Sequence, residues 1–257
     1  MRRQGRITLA VDGAVARLVI DNPEKRNALD LAMIAELSAG VRRVSSDRRV
    51  RVLVLSGAGG KAFSAGADLD VLTEGRDFSQ RLRRIEQALE RAARALARLP
   101  IPTIAALSGY CMGGGVQIAL ACDLRFAADD LAIGIPAVRM GLVYPRTALA
   151  KLVRLVGASR AKFVLMSAQA FAAEAAAAMG LVDAVFPARR FKLAVDDLAN
   201  AIAGHPPGAV RAYKQVIDAL ADDNAAAAER IARKVNRGNE MYAALERVRA
   251  SRKRRAD

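Results

Sequence analysis

Two segments rich in small residues have the composition and spacing that could do chemistry. Residues 61–69 follow an apolar run that ends near residue 57, and their small side chains would let a ligand approach the backbone. Residues 109–117 contain three consecutive glycines at the expected start of a helix. The N–H groups of a first helical turn lack intrahelical partners and lie at the positive end of the helix dipole. Two N–H groups that converge on one oxygen would form an oxyanion hole, which suits a thioester enolate.

The composition argues against disulfide, metal and nucleotide-binding sites. The chain has two cysteines, Cys111 and Cys122, and one histidine, His205, which are too few for a disulfide framework or a zinc site. Neither glycine-rich segment has the spacing of a Walker A or a dinucleotide-binding motif. No histidine is near Cys111 in the sequence, so we interpret Cys111 as a packing residue rather than a nucleophile. We expect no metal ion.

Charge and hydropathy limit the possible partners. A formal net charge of +15 favours an anionic partner, whereas only 4% of the residues are aromatic, which argues against a base-stacking surface for nucleic acid. Apolar runs are broken well before the roughly 20 residues that would cross a bilayer, so we expect no membrane-spanning helix. The basic N-terminus is not followed by the apolar region of a secretory signal. We therefore expect a cytoplasmic protein.

The elements that must position the two segments alternate between strand and helix. The pattern of residues 7–20 predicts a hairpin with its turn at Asp12 and Gly13, and Asn27 can cap the helix that follows. Further strands are predicted at 52–55, 103–107, 123–127 and 181–186, and helices at 82–99, at 113–121 and over much of the chain from residue 147. This alternation indicates an α/β architecture.

Three motifs in this order resemble the crotonase superfamily, which includes the enoyl-CoA hydratases and isomerases. They are Ala-Phe-Ser-Ala-Gly-Ala-Asp-Leu at 62–69, Gly-Tyr-Cys-Met-Gly-Gly-Gly at 109–115 and Cys-Asp-Leu-Arg-Phe-Ala-Ala at 122–128. The resemblance extends to Asn-Pro-Glu-Lys-Arg-Asn-Ala-Leu at 22–29 and to shorter matches at 157–162 and 180–183. It covers nearly the whole chain.

The resemblance implies a fold and an assembly. The fold would be a spiral of ββα units over residues 1–195, followed by a helical oligomerisation region over 196–257. Homotrimers, often paired into hexamers, are typical of the family.

The resemblance also implies a ligand and its contacts. The ligand would be an acyl-CoA thioester, in which coenzyme A is part of the substrate, and no other cofactor is needed. The N–H groups of Ala67 and Gly114 would form the oxyanion hole. Coenzyme A would lie along the backbone, and the positions carried over for it are Arg26, Ala28, Ala65, Asp68 and Leu69.

The chain departs from the family at the catalytic carboxylates. Two glutamates position and activate water in the hydratases, and the corresponding positions here hold Gln117 and Ala137. Neither side chain has a titratable proton acceptor, so acid–base assistance often worth roughly 100- to 10,000-fold per group is missing. We expect ordinary hydration to be slow or absent. The family's isomerases also rely on a carboxylate at the position of Ala137, so its loss argues against isomerase activity too.

Tyr144 is the best substitute, because decarboxylases of the methylmalonyl-CoA type have a similarly placed tyrosine. Tyr144 or the nearby Arg139 could contact a leaving carboxylate. The alternative is that Tyr144 packs beneath the site with its hydroxyl bonded to the backbone, and that Arg139 is a surface or ion-pairing residue.

Three functions remain open. The first is an enzyme of the enoyl-CoA hydratase/isomerase family that acts as a lyase or isomerase, with decarboxylation of a malonyl-type acyl-CoA as the alternative reaction. The second is a non-catalytic acyl-CoA carrier or sensor, which the loss of both glutamates supports. The third is RNA binding, known for at least one hydratase of the family, although the low aromatic content argues against it.

Overall fold

Two β-sheets and the helices packed on them make up the fold. A computed structural model describes residues 4–68, 77–236 and 246. The strands are β1 (Arg6–Asp12), β2 (Val15–Asp21), β3 (Val52–Gly57), β4 (Ala62–Ser64), β5 (Thr103–Leu107), β6 (Tyr110–Met112), β7 (Leu124–Ala128), β8 (Ala132–Gly134), β9 (Ala170–Ala172) and β10 (Ala184–Phe186). The helices are α1 (Leu31–Ser46), α2 (Phe78–Ala97), α3 (Gly114–Ala121), α4 (Arg146–Ser167), α5 (Ala173–Met179), α6 (Ala188–Gly204), α7 (Pro207–Ala221) and α8 (Ala225–Asn236).

The larger sheet contains six strands in the order β1-β2-β3-β5-β7-β10. The predicted hairpin is confirmed, because β1 and β2 pair antiparallel with Asp12 opposite Val15 and Gly13 turns with a φ of 55°. The remaining pairs in this sheet are parallel. Strand β5 is buried at every position, as expected for a parallel strand covered on both faces.

The smaller sheet consists of four three-residue strands in the order β4-β6-β8-β9. Strands β3, β5 and β7 of the larger sheet are each followed along the chain by a strand of the smaller one, and then by helix α2, α3 or α4. This repeated ββα order is the crotonase-like spiral that the resemblance implied.

The core lies on both faces of the larger sheet. Alternate residues of a strand point to opposite faces, so Leu53 and Leu55 join the main cluster between the sheets and helices, whereas Val52 and Val54 join a second cluster. Helix α6 covers the second cluster, with Phe191 among its buried residues.

The prediction that Asn27 caps the first long helix is wrong. The cap is Asp30, whose Oδ1 accepts a hydrogen bond from the Met33 N–H at 2.8 Å. Asn27 is instead completely buried in a left-handed conformation with a φ of 59°, and its amide donates to the carbonyl oxygen of Ala62 at 2.7 Å. A 3-10 turn at Pro23–Lys25 precedes the helix, which begins only at Leu31. Asn27 therefore lies before the helix and connects two loops through buried hydrogen bonds.

The C-terminal part of the described chain is helical. Helices α7 and α8 pack against each other, and the predicted boundary at residue 195 lies inside α6. The division into a core and an oligomerisation region stays a prediction. Among the helices of the described ranges, none has both the length and the hydropathy needed to cross a bilayer.

Arg125 ties the end of the larger sheet together from inside the protein. Its side chain is 2% exposed, its guanidinium pairs with the Asp183 carboxylate at 3.0 Å, and its Nε donates to the Leu181 carbonyl oxygen at 3.0 Å. The Asp183 carboxylate also accepts from the Arg125 backbone N–H at 2.7 Å. One side chain therefore fixes the approach of the chain to β10.

We expect Arg125→Ala to lower the free energy of unfolding by about 3 kcal/mol, because the Leu181 carbonyl oxygen and the Asp183 carboxylate lose the guanidinium donors, while Asp183 keeps the bond from the backbone N–H. Urea unfolding followed by circular dichroism would measure the change. The matched control is Arg91→Ala on the exposed side of α2, which should change stability by no more than about 0.5 kcal/mol. Equal losses in both variants would contradict the role of Arg125.

Candidate active site

The two small-residue segments meet because the strands that lead into them are neighbours. Strands β4 and β6 pair in parallel, with Ser64 opposite Cys111. Parallel strands end at the same edge of a sheet, so the residues that follow β4 lie beside the glycines that follow β6. The sequence alone did not reveal this pairing, since β4 and β6 are only three residues long.

Glycines allow the two backbones to touch. A Cβ atom added to Gly66 would lie 2.8 Å from the Met112 carbonyl oxygen and 3.0 Å from the Gly114 amide nitrogen. A Cβ atom added to Gly115 would lie 2.6 Å from the Ser64 carbonyl oxygen. Real side chains do not fit at such distances, so Gly66 and Gly115 are required by contact rather than by flexibility alone.

The two expected oxyanion donors are close neighbours at this contact. A Cβ atom added to Gly114 would lie 3.3 Å from the amide nitrogen of Ala67. Ala67 forms a parallel bridge with Leu29, in which the hydrogen bonds run from Leu29 N–H to Gly66 and from Asp68 N–H to Leu29. This bridge does not use the Ala67 N–H. The N–H of Gly114 lies in the first turn of α3, where helical amides have no intrahelical acceptor.

Buried polar side chains hold the first loop in place. The Ser64 hydroxyl donates to the Asn27 carbonyl oxygen at 2.8 Å and accepts from the Gly66 N–H at 3.1 Å. The Ala65 N–H donates to the Arg26 carbonyl oxygen at 2.9 Å. Asn27 and Ser64 were not recognised from the sequence as site residues, although they stand inside the motifs at 22–29 and 62–69.

Gln117 lies one turn after Gly114 on α3. The residue is 4% exposed, and its Nε2 is buried with no hydrogen-bond acceptor among the described residues. An amide cannot replace a carboxylate as a proton acceptor, so this position supplies no general base. Ala137 lies in the 3-10 turn Pro136–Met140 and packs against the main core.

Tyr144 reaches the glycine loop from beneath. The residue is 8% exposed, and its hydroxyl donates to the Gly113 carbonyl oxygen at 2.7 Å. Burial raises the pKa of Tyr144 above its ordinary value, so the phenol keeps its proton. Arg139 donates to the Ala168 carbonyl oxygen at 2.8 Å, which joins the 3-10 turn to the end of α4.

A cavity of about 680 Å³ begins beside Gln117 and lies between α2, α3, α4 and α7. Ligand pockets typically measure roughly 300 to 1,000 Å³. Three residues on one face of α3 line it, Gln117, Leu120 and Ala121. Its outer wall carries ion pairs between Lys214 and Asp123 and between Arg154 and Asp222.

Comparison with known proteins identifies the family. A family model described as enoyl-CoA hydratase/isomerase matches residues 10–256. The chain belongs to this family. It is 33% identical to the short-chain-enoyl-CoA hydratase of Clostridium acetobutylicum over 217 residues, which cover 82% of this chain and 80% of that protein.

Two further relatives agree with this membership. The peroxisomal Delta(3,5)-Delta(2,4)-dienoyl-CoA isomerase of Arabidopsis thaliana is 33% identical over 217 residues, covering 80% of this chain and 78% of that protein. The crystal structure of an enoyl-CoA hydratase/carnithine racemase from Magnetospirillum magneticum matches with a TM-score of 0.90 at 29% identity, covering 97% of this chain and 94% of that one. Hydratases and isomerases are thus both similar to this chain.

The positions that family resemblance assigned to coenzyme A cluster around the first loop. Arg26 is exposed and its guanidinium lies over the Tyr110 ring, 4.6 Å from the ring centroid. Ala28 is buried, and the Asp68 carboxylate pairs with the Lys25 ammonium at 2.8 Å. Leu69 lies outside the described residues. These coenzyme A contacts stay predictions, as do the roles of Ala67, Gly114, Gln117, Tyr144 and Arg139.

Neither cysteine is placed to act as a nucleophile. Cys111 and Cys122 are both completely enclosed, and burial raises the pKa of Cys111 far above its ordinary value and that of Cys122 to about 12. The thiolate is the reactive form of cysteine. In the described part of the chain, no group of three or more histidine, cysteine or carboxylate side chains is arranged to hold a metal ion.

We expect both thiols of the native protein to resist a disulfide reagent at pH 8, because a raised pKa keeps them protonated there. Absorbance of the released thiolate would follow the reaction, and both should react once urea unfolds the chain. A Ser45→Cys variant, exposed on α1, provides a positive control that reacts without urea. Rapid labelling of Cys111 or Cys122 in the folded protein would contradict this account.

Proposed function

We propose that the protein binds an acyl-CoA thioester, places its carbonyl oxygen between the N–H groups of Ala67 and Gly114, and stabilises the enolate. The observation that supports this most directly is the contact of the two loops, in which the Ala67 nitrogen is next to Gly114. Fixed backbone donors at a developing oxyanion contribute roughly 3 to 4 kcal/mol each to transition-state stabilisation.

The reaction must proceed without the usual carboxylates. Gln117 and Ala137 supply no proton acceptor, so we propose that hydration is slow and that the enzyme favours a step needing only enolate stabilisation. Decarboxylation of a malonyl-type acyl-CoA is such a step. The electron pair of the breaking carbon–carbon bond enters the enolate, carbon dioxide leaves, and a proton is then added to the α-carbon from solvent.

The coenzyme A end of the ligand would lie along residues 26–28 and 65–68. The Ala65 N–H donates to the Arg26 carbonyl oxygen, and Leu29 exchanges backbone hydrogen bonds with Gly66 and Asp68. The backbone there is therefore fixed before a ligand arrives. Arg26 is a cation at the surface of this region, and the net charge of +15 attracts a polyphosphate.

The acyl chain would extend from the oxyanion hole into the cavity. Gly114, Gln117 and Ala121 follow one face of α3, and at a rise of 1.5 Å per residue Ala121 lies roughly 10 Å beyond Gly114. Helix α2 runs alongside, with Leu89 near Gly114 and Ala93 in the cavity wall. Both helices therefore lead from the donors towards the cavity, whose wall includes the small side chains of Ala93, Ala97 and Ala121.

A non-catalytic acyl-CoA carrier or sensor is the second candidate. The buried amide of Gln117, with its unpaired Nε2, favours it because the position of a catalytic acid is occupied by a group that cannot transfer a proton in that role. In this candidate the same oxyanion donors bind the thioester without turning it over.

We also propose self-association, as the family resemblance implies a trimer or hexamer. Tyr213, Ile217 and Leu220 form an exposed apolar stripe on α7, at the spacing of one helical face. Such a stripe supports burial against another surface.

The decisive experiment measures turnover by mass spectrometry with crotonyl-CoA, longer 2-enoyl-CoAs and methylmalonyl-CoA. Gly114→Pro removes the N–H at the first helical position, where proline is otherwise tolerated. We expect the variant to lose about 100-fold in kcat. Gly114→Ala is the matched control, because it adds the same Cβ atom near Leu89 and keeps the N–H.

Each outcome of this assay is informative. Decarboxylation that depends on the Gly114 N–H supports the proposed enzyme, and acyl-CoA binding without turnover of any thioester supports the carrier. Fast wild-type hydration would refute the inference from Gln117 and Ala137. Equal activity of the proline and alanine variants would show that the Gly114 N–H is not a donor in the oxyanion hole.

The acyl-chain path is tested by Ala121→Phe, which places a larger side chain in the cavity wall. We expect the affinity for 2-dodecenoyl-CoA to fall about tenfold, equivalent to roughly two unburied methylene groups, with little change for crotonyl-CoA. Isothermal titration calorimetry would measure both. Ala175→Phe, exposed on α5, is the control. An equal loss of affinity for both ligands would contradict this path.

A further inference from the structure

The peptide unit between Gly113 and Gly114 has two ends with different partners. Its N–H, which belongs to Gly114, is the proposed oxyanion donor. Its carbonyl, which belongs to Gly113, accepts from the Tyr144 hydroxyl at 2.7 Å and from the Gln117 N–H at 3.1 Å. Because the peptide is planar and trans, fixing the carbonyl also fixes the direction of the N–H on the opposite side.

We infer that Tyr144 is a positioning residue that orients and polarises the Gly114 N–H through the Gly113 carbonyl. This inference rests on the proposed function, since it takes the Gly114 N–H as a donor to the thioester. It differs from a direct contact between Tyr144 and a leaving carboxylate. The Tyr144 hydroxyl already donates to the Gly113 carbonyl, so the phenol acts on the thioester through the peptide unit rather than by direct contact.

The glycine turn needs such an anchor. Gly113 has a φ of 46° and a ψ of −114°, a conformation open to glycine but not to ordinary residues. Its own N–H donates to the Gly134 carbonyl oxygen at 3.0 Å, which ties the turn to β8 on one side. Tyr144 ties it on the other side, so the peptide that carries the donor is held from both directions.

The surroundings make this hydrogen bond effective. Tyr144 is buried in the main core, where the local dielectric is low and hydrogen bonds polarise one another. A carbonyl that accepts a second hydrogen bond leaves its peptide N–H a stronger donor. Burial also raises the pKa of Tyr144, so the hydroxyl remains a donor across the working pH range.

Removing the hydroxyl should leave the fold intact. The Gly113 carbonyl has two lone pairs and keeps the helical bond from Gln117 when Tyr144 becomes phenylalanine. Tyr144→Phe also retains the buried ring. The variant therefore loses one anchor of the peptide and not the helix.

The test uses a thioester chromophore, 4-(dimethylamino)cinnamoyl-CoA, whose absorbance shifts to the red when its carbonyl oxygen accepts strong hydrogen bonds. The wild type should bind it with a red shift. In Tyr144→Phe we expect the shift to shrink by about half and the affinity to fall on the order of fivefold. If a thioester is turned over, kcat should fall on the order of tenfold, which is more than KM rises, because the donor matters most when charge develops on the oxygen.

Two controls separate the possible failures. Ser45→Ala removes an exposed hydroxyl from α1 and should retain the full shift. Urea unfolding of Tyr144→Phe shows whether a reduced shift arises from a destabilised protein instead. A smaller shift in a variant of near wild-type stability supports the inference.

The outcomes also distinguish this inference from the proposed function. A wild type that binds the probe with no red shift would overturn the oxyanion hole itself. A wild-type red shift that Tyr144→Phe retains in full would overturn the positioning role alone. A changed pH profile showing titration of Tyr144 in the working range would likewise contradict it, since the inference requires a phenol that stays protonated.

Discussion

The close approach of two backbones, at Gly66 on one side and Gly114 on the other, is the constraint on which the site depends. Two main-chain segments can come this near only where side chains are absent and where parallel strands end together. The short strands β4 and β6 provide that alignment, and buried Asn27 and Ser64 supply hydrogen bonds that the loop could not make with itself. The larger sheet and α2 then serve as the support that keeps this contact rigid. The proposed oxyanion hole would be made from backbone donors, so it would depend on the fold rather than on most of the side chains around it.

That independence explains how the proposed site could retain its donors without the family's acid–base groups. The proposed donors belong to the main chain at Ala67 and Gly114, whereas acid–base groups belong to side chains that can change without disturbing the loops. Gln117 occupies nearly the same volume as a glutamate, and Ala137 still packs against the core. Both residues thus fit the packing of the fold, and in the proposed function their effect would fall on proton transfer. Reactions limited by enolate formation without base assistance remain compatible with such a site.

Long elements were predictable from the sequence, because burial imposes a period on them. The hairpin, the strand at 52–55 and the amphipathic helix that became α2 all follow from that pattern. The smaller sheet was not predictable, since three-residue strands have no period to detect, and the neighbours of β4 are fixed by contacts far along the chain. The prediction that Asn27 caps a helix was wrong for a related reason. The Asn27 amide donates a hydrogen bond to the carbonyl oxygen of Ala62, in a distant segment, rather than capping the local helix. Motifs in the sequence indicated the site loops, but the hydrogen bond from the Tyr144 hydroxyl to the Gly113 carbonyl oxygen became evident only from the structure.

Helix α3 joins the parts of the site that sequence motifs treat separately. Its first turn carries the Gly114 N–H, its next turn carries Gln117, and its last turn lines the cavity at Leu120 and Ala121. A movement of this helix would therefore change the oxyanion donor and the shape of the cavity together. Tyr144 and the Gly134 carbonyl hold the N-terminal end of α3, and the Lys214–Asp123 ion pair lies just beyond its C-terminal end. Anchors near both ends restrain the helix, so in the proposed complex the distance between the thioester carbonyl and the cavity would be fixed by α3.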